Sequence, residues 1–73
     1  MADQPPSVGR TVHYGNWDEV SGKDETQAAT ITGLNVDGTV SLKVFARTRT
    51  FDLPTVTYSE TPQRWRWSWP PRV

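Results

Sequence analysis

The chain contains no cysteine and a single histidine, His13. Without cysteine there is no disulfide framework, and one histidine alone leaves a tetrahedral structural zinc site without its usual ligands. The fold must therefore hold by packing. No apolar run approaches the roughly 20 residues a membrane-spanning helix needs, and the opening "MADQPPSVGR" is polar and proline-bearing, with no apolar region of the kind secretory signals carry. No membrane association is expected, and the lack of cysteine agrees with a reducing compartment. Catalytic grammar is also missing. The glycines at 9, 15, 22, 33 and 38 are scattered instead of forming a phosphate-cradling loop, and no GxSxG elbow accompanies His13. The acidic stretch "DEVSGKDE" places Asp18, Glu19, Asp24 and Glu25 close together, but not at the alternating spacing and fixed glycine of an EF-hand, so it reads as solvated. The expectation is a protein that is not an enzyme and uses no cofactor and no metal.

What is present is aromatic. At 73 residues, with four Trp, two Tyr and two Phe, the chain has room for one domain. A core of this size rarely yields more than about 3–5 kcal/mol net, so its large side chains are needed inside. Charge sums to zero but is divided. Residues 1–37 hold six acids against Arg10 and Lys23, a net of −4, and residues 38–73 hold six bases against Asp52 and Glu60, a net of +4. The two halves can face each other or form two poles that favour head-to-tail assembly as a homo-oligomer. The overall balance disfavours a nucleic-acid partner, though a local arginine face is compatible with one.

Along the chain, residues 1–7 read as a disordered N-terminal arm and residues 8–73 as the domain. In "RTVHYG", Val12 and Tyr14 fall on one face and Thr11 and His13 on the other, the period-2 pattern of a half-buried strand. Residues 16–26, "NWDEVSGKDET", show no periodicity and are read as a long loop. "QAATITGLNVDGTVSLKVF" predicts a hairpin around Asp37-Gly38, with Ala29, Ile31 and Gly33 on one arm and Val40, Leu42 and Val44 as the apolar row of the other. "RTRTFDL" alternates Arg47, Arg49 and Phe51 against Thr48, Thr50 and Asp52. It is predicted as an edge strand stopped by Pro54. "TVTYSE" supplies a short further strand or a turn, and "RWRWSW" is the last strand before Pro70-Pro71. No segment has helical periodicity. Five to six short antiparallel strands point to an all-β fold, a small SH3-like barrel, with an OB-like barrel as the alternative.

Two resemblances accompany this pattern. "SVGRTVHYG" followed by "AATITGLNVDGTVSLKVF" resembles the opening and central hairpin of SH3-like and Tudor-like barrels, in which a "VGxxVxY" strand precedes an "AxI…DGTxxVxF" hairpin. The chain also resembles a family of small uncharacterised proteins of actinobacterial phages, with "SVGRxVHY", an acidic loop, "DGTVSLxVF", "YSExP" and a terminal "WHWPxR". The matching stretches are Ser7–Tyr14, Ala29–Phe45, Val56–Pro62 and Trp67–Arg72. The sequence departs from that pattern at Ser68, where the family has histidine, at the extra proline of "WSWPPR", and at Thr57, where proline is usual. The resemblance implies a phage accessory protein in the host bacterial cytoplasm and carries no assigned activity.

The candidate site residues are Tyr14, Trp17, Arg47, Arg49, Trp65, Trp67 and Trp69. If "RWRWSW" is one regular strand, its three tryptophans share a face about 6.6–6.8 Å apart, room for one flat group between successive indoles. A chain this short needs at least two of the three in its core, where three buried indoles together contribute on the order of 15 kcal/mol gross. The mixed case is a ladder in which Arg47 or Arg49 inserts between indoles. Tyr14, Trp17, Phe45 and Tyr58 also occupy the approximate positions of the methyl-cation cage of Tudor-like barrels, with Asp18 or Glu19 as its acid. The favoured function is non-enzymatic binding of a host or phage protein, or of a small ligand, through this aromatic and charged surface. A virion structural or decoration protein and a nucleic-acid or nucleotide binder are the alternatives.

Overall fold

A computed structural model of the protein describes residues 5–71, and these form five strands in a closed barrel. They are β1 (Thr11–Asp18), β2 (Lys23–Leu34), β3 (Val40–Phe45), β4 (Thr50–Tyr58) and β5 (Arg66–Ser68). Neighbours in sequence are neighbours in space, and β5 returns to β1. This is the small SH3-like barrel expected, and its simple meander order differs from the Greek-key path of an OB-like barrel. The first three strand pairs and the β1–β5 pair are antiparallel, whereas β4 and β5 run parallel. The expectation of antiparallel strands alone is corrected at that closing pair. Among the described residues there is no helix, and so none to cross a membrane.

The inward residues are those the alternation selects. Val12, Tyr14, Ala29, Ile31, Val40, Leu42, Val44, Val56 and Trp67 form the buried core, with Phe51, Leu53 and Trp69 partly buried against it. Two irregularities bend the sheet far enough to close. Between Ile31 and Gly33 the β2 strand carries Thr32 as an extra residue, and opposite Ser41 the β4 strand carries two residues, Pro54 and Thr55. Such bulges increase local twist, which a small barrel requires. The first also ends the inward row at Ile31, so Gly33 is only partly buried.

Three expectations for the strands are corrected. Residues 16–26 are not a long loop: β1 continues through Trp17 and Asp18, β2 starts at Lys23, and only four residues turn between them. Composition misleads here because a two-stranded ribbon projecting from a barrel has little apolar surface to bury. The turn is held by polar groups instead. The Val20 N–H donates to Asp18 Oδ1 at 3.1 Å and the Gly22 N–H to the Asp18 carbonyl at 2.8 Å. Arg47 and Arg49 lie in the β3–β4 connection and not on a strand, where the Ala46 N–H donates to the Arg49 carbonyl. Pro54, finally, does not end a strand. It sits in the β4 bulge, where no ladder N–H is needed, and its carbonyl accepts from Ser41 Oγ at 2.7 Å and Asn35 Nδ2 at 3.1 Å. "RTRTFDL" and "TVTYSE" thus merge into one strand, which β5 pairs at Thr57 and Tyr58, while Thr50–Leu53 pair with β3 alone among the described residues, as an edge does.

The β2–β3 hairpin forms at the expected place. Gly38 alone adopts a left-handed φ, of 90°, while Asp37 caps the turn by accepting from the Thr39 N–H and hydroxyl. At the N-terminus, the Gly9 N–H donates to the Ile31 carbonyl at 2.8 Å, extending the β1–β2 pairing. Residues 1–4 of the expected arm lie outside the described residues.

Candidate functional site

The last strand is shorter than the sequence suggests, and that determines where the tryptophans go. Trp65 has φ 67°, in the left-handed region that a bulky side chain seldom occupies. Its N–H donates to the Gly15 carbonyl at 2.7 Å, and Arg64 forms an isolated parallel bridge with Gly15. This reversal breaks the period-2 pattern. The shared face expected for Trp65, Trp67 and Trp69 does not exist. Trp67 is 2% exposed in the core, Trp69 packs edge-on to it with ring centroids 5.3 Å apart, and Trp65 is 66% exposed. Two of the three tryptophans do serve the core. The Trp67 indole N–H has no hydrogen-bond partner among the described residues.

The arginines are distributed differently from the expected ladder. Neither Arg47 nor Arg49 inserts between indoles. Arg49 lies over Phe51 at 5.1 Å and Arg10 over Trp69 at 5.3 Å. Arg64 takes the prominent position. Its guanidinium carbon is 5.5 Å from the Trp17 ring centroid and 5.8 Å from that of Trp65. Both Arg64 Nε and Nη2 reach Asp24 Oδ1, at 2.7 and 2.6 Å. Asp24 faces Trp17 across the β1–β2 ribbon as its register partner, so the carboxylate and the indole project on the same side. The ribbon places Trp17 and Asp24, and the Gly15–Trp65 contact places Arg64 and Trp65. Beside them is an open cleft of about 290 Å³ lined by Gly15, Asn16, Asp24, Glu25, Thr26 and residues 62–64.

A second cluster ties the ribbon to the barrel. Arg47 Nη2 is 2.7 Å from Asp18 Oδ2 and 3.0 Å from Glu25 Oε1, and Arg47 Nε also donates to Asp18 Oδ2 at 3.1 Å. Asp18 is 6% exposed. The Arg47 hydrogen bond holds its carboxyl well below the usual carboxylate range, against the upward pull of burial and with help from the Val20 N–H. Because the folded state favours the ionised form, the stabilisation is present above the ordinary carboxylate pKa, about 3.9, and is lost as pH falls below it. Asp18→Asn should therefore be less stable than wild type at neutral pH and lose less stability on acidification. Urea unfolding at neutral pH and near pH 3 reads this, and parallel losses in both proteins would contradict it. The charge division seen in the sequence is thus spent in part inside the molecule: three acids of the first half, Asp18, Asp24 and Glu25, meet Arg47 and Arg64 of the second.

Of the expected site residues, Trp17 and Trp65 meet at the surface through Arg64, Tyr14 and Trp67 are in the core, and Arg47 is engaged by two carboxylates. The Tudor-like cage is not assembled. Tyr14 packs edge-on against Phe51, Tyr58 lies tilted against Trp67, and no ring contact among the described residues joins Tyr14, Trp17, Phe45 and Tyr58. Arg64 and Asp24 are the residues that sequence reasoning missed. They are 40 positions apart, and the pairing of Arg64 and Trp65 with Gly15 brings them together. No family model, curated protein or solved structure matches the chain. Among the described residues, no group of three or more His, Cys, Asp or Glu side chains is placed to hold a metal ion.

Proposed function

We propose that the barrel is a non-enzymatic binding module whose contact surface is the Trp17–Arg64–Trp65 face, and that its partner is a protein. The observation that carries this reading is Trp65. Its left-handed backbone costs on the order of 1–2 kcal/mol, and the side chain so placed stays 66% exposed instead of joining the core. Strain of that kind, spent on holding an apolar ring in water beside a second exposed indole, has its return in recognition. Trp and Arg are also the side chains that most often dominate protein interfaces. The motif resemblance supports placing this module among phage accessory proteins acting on a host or phage protein. A virion structural role through charged poles has less support, because part of the opposite charge is already paired within one chain.

Trp65→Gly separates strain from function. Glycine relieves the left-handed φ but gives up the buried part of the indole, so stability should change by less than about 1 kcal/mol while binding is lost. The test compares capture of partners from host lysate by wild type, Trp65→Gly and Trp17→Ala, together with urea unfolding of each. A protein retained by wild type and lost from both variants supports the surface. Equal capture by all three overturns it.

A further inference from the structure

The exposed aromatic face already holds a cation. Two indole rings lie within 6 Å of one guanidinium, and a carboxylate anchors it. The chain supplies this cation itself, from Arg64, whose side chain remains 42% exposed. We propose that Trp17, Trp65 and Asp24 form a slot for a basic side chain, arginine or lysine, of a partner protein, and that Arg64 fills this slot in the partner's absence. The inference rests on the reading of this face as the binding surface and assigns the chemistry of what binds there.

Three observations support it. Both Arg64 nitrogens converge on Asp24 Oδ1, and among the described residues Oδ2 makes no hydrogen bond, so the carboxylate has capacity for a second donor. Asp24 is itself 61% exposed in its side chain, and ion pairs that exposed are weak, so Arg64 can be displaced at low cost. The cleft alongside carries Asp24 and Glu25, with Arg64 as its only cationic lining residue among the described residues. When Arg64 swings out, Glu25 stays paired with Arg47 and the Asp24 carboxylate is left without its cation, which selects for a cation. The same arrangement argues against a nucleic-acid strand, whose phosphates would meet those acids.

The experiment titrates the full chain at low ionic strength with an oligoarginine peptide, an oligoglutamate peptide and oligothymidylate, following tryptophan fluorescence. Emptying the slot in Arg64→Ala should tighten oligoarginine binding about five- to tenfold, the strength expected of exposed cation–π and ion-pair contacts no longer competing. Arg66→Ala removes the same charge from an exposed neighbour without emptying the slot, and should change affinity less than about twofold by comparison. Asp24→Asn should weaken binding. Equal gains in Arg64→Ala and Arg66→Ala, or undiminished binding in Asp24→Asn, would overturn the proposal. Should Arg64→Ala lose the wild-type circular dichroism spectrum, Arg64→Gln carries the same prediction. Preference for oligoglutamate or oligothymidylate, abolished by Trp17→Ala, would refute a basic ligand and leave the binding surface standing. If no probe of either sign binds and the lysate captures also fail, both readings fall.

Discussion

Gly15→Ala is expected to destabilise the protein by about 3 kcal/mol, the upper end of what overpacking a well-fitted site costs. The reason is local and steric. A Cβ at position 15 would overlap the carbonyl of Gln63 and crowd the Arg64 nitrogen, and these are backbone atoms that cannot rotate aside. The segment they belong to carries the chain into β5 and positions Arg64 between Trp17 and Trp65. A loss of that size approaches the entire net stability of a domain this small and should lower the melting temperature by on the order of 10–20 °C. Thermal unfolding followed by circular dichroism measures it. A shift of only a few degrees would mean the Gln63 segment yields easily, and the close approach would lose its structural importance.

Trp67→Ala should cost a similar or larger amount, about 3–5 kcal/mol, as expected for removing a fully buried indole. Trp67 touches both Tyr58 and Trp69, and through its backbone it pairs with β1 on one side and β4 on the other. Its loss opens a cavity at the point where the barrel closes. Trp67→Phe retains a ring and removes an indole N–H that has no partner, so it should lose less than half as much. Urea denaturation of the two variants settles the order. If Trp67→Ala were no worse than Trp67→Phe, the indole would not be the closing element of the core.

The fold was legible wherever strands lie against the core. Val12 and Tyr14, Ala29 and Ile31, and Val40, Leu42 and Val44 all face inward as alternation predicts, because burial on one face imposes a period of two. The β1–β2 ribbon was not legible, since Trp17, Asp24 and Glu25 are placed by pairing and charge with little apolar burial to mark them. Pro54 misled because a bulge removes the demand for the N–H that proline lacks. The candidate site was legible in half of its parts. Trp17 and Trp65 stand out as aromatics in polar surroundings, but the strand that should have aligned Trp65 with Trp67 is broken by a backbone reversal that no residue type announces. Asp24 read as part of a solvated acidic run. Its partner is 40 residues away, and such a pairing leaves no periodic trace.

Closure by a three-residue strand has a consequence for how the chain reaches this shape. β5 is last in chain order, and both of its neighbours, β1 and β4, were made earlier and keep one side unpaired until it arrives. During synthesis the first four strands can assemble as an open sheet whose two outer strands expose hydrogen-bonding groups, the form in which small β-proteins are most prone to join one another. Docking of Trp67 gives both outer strands a partner at once, at Tyr14 and at Tyr58. The residue that completes the core thus also ends the interval in which a growing chain is most open to self-association.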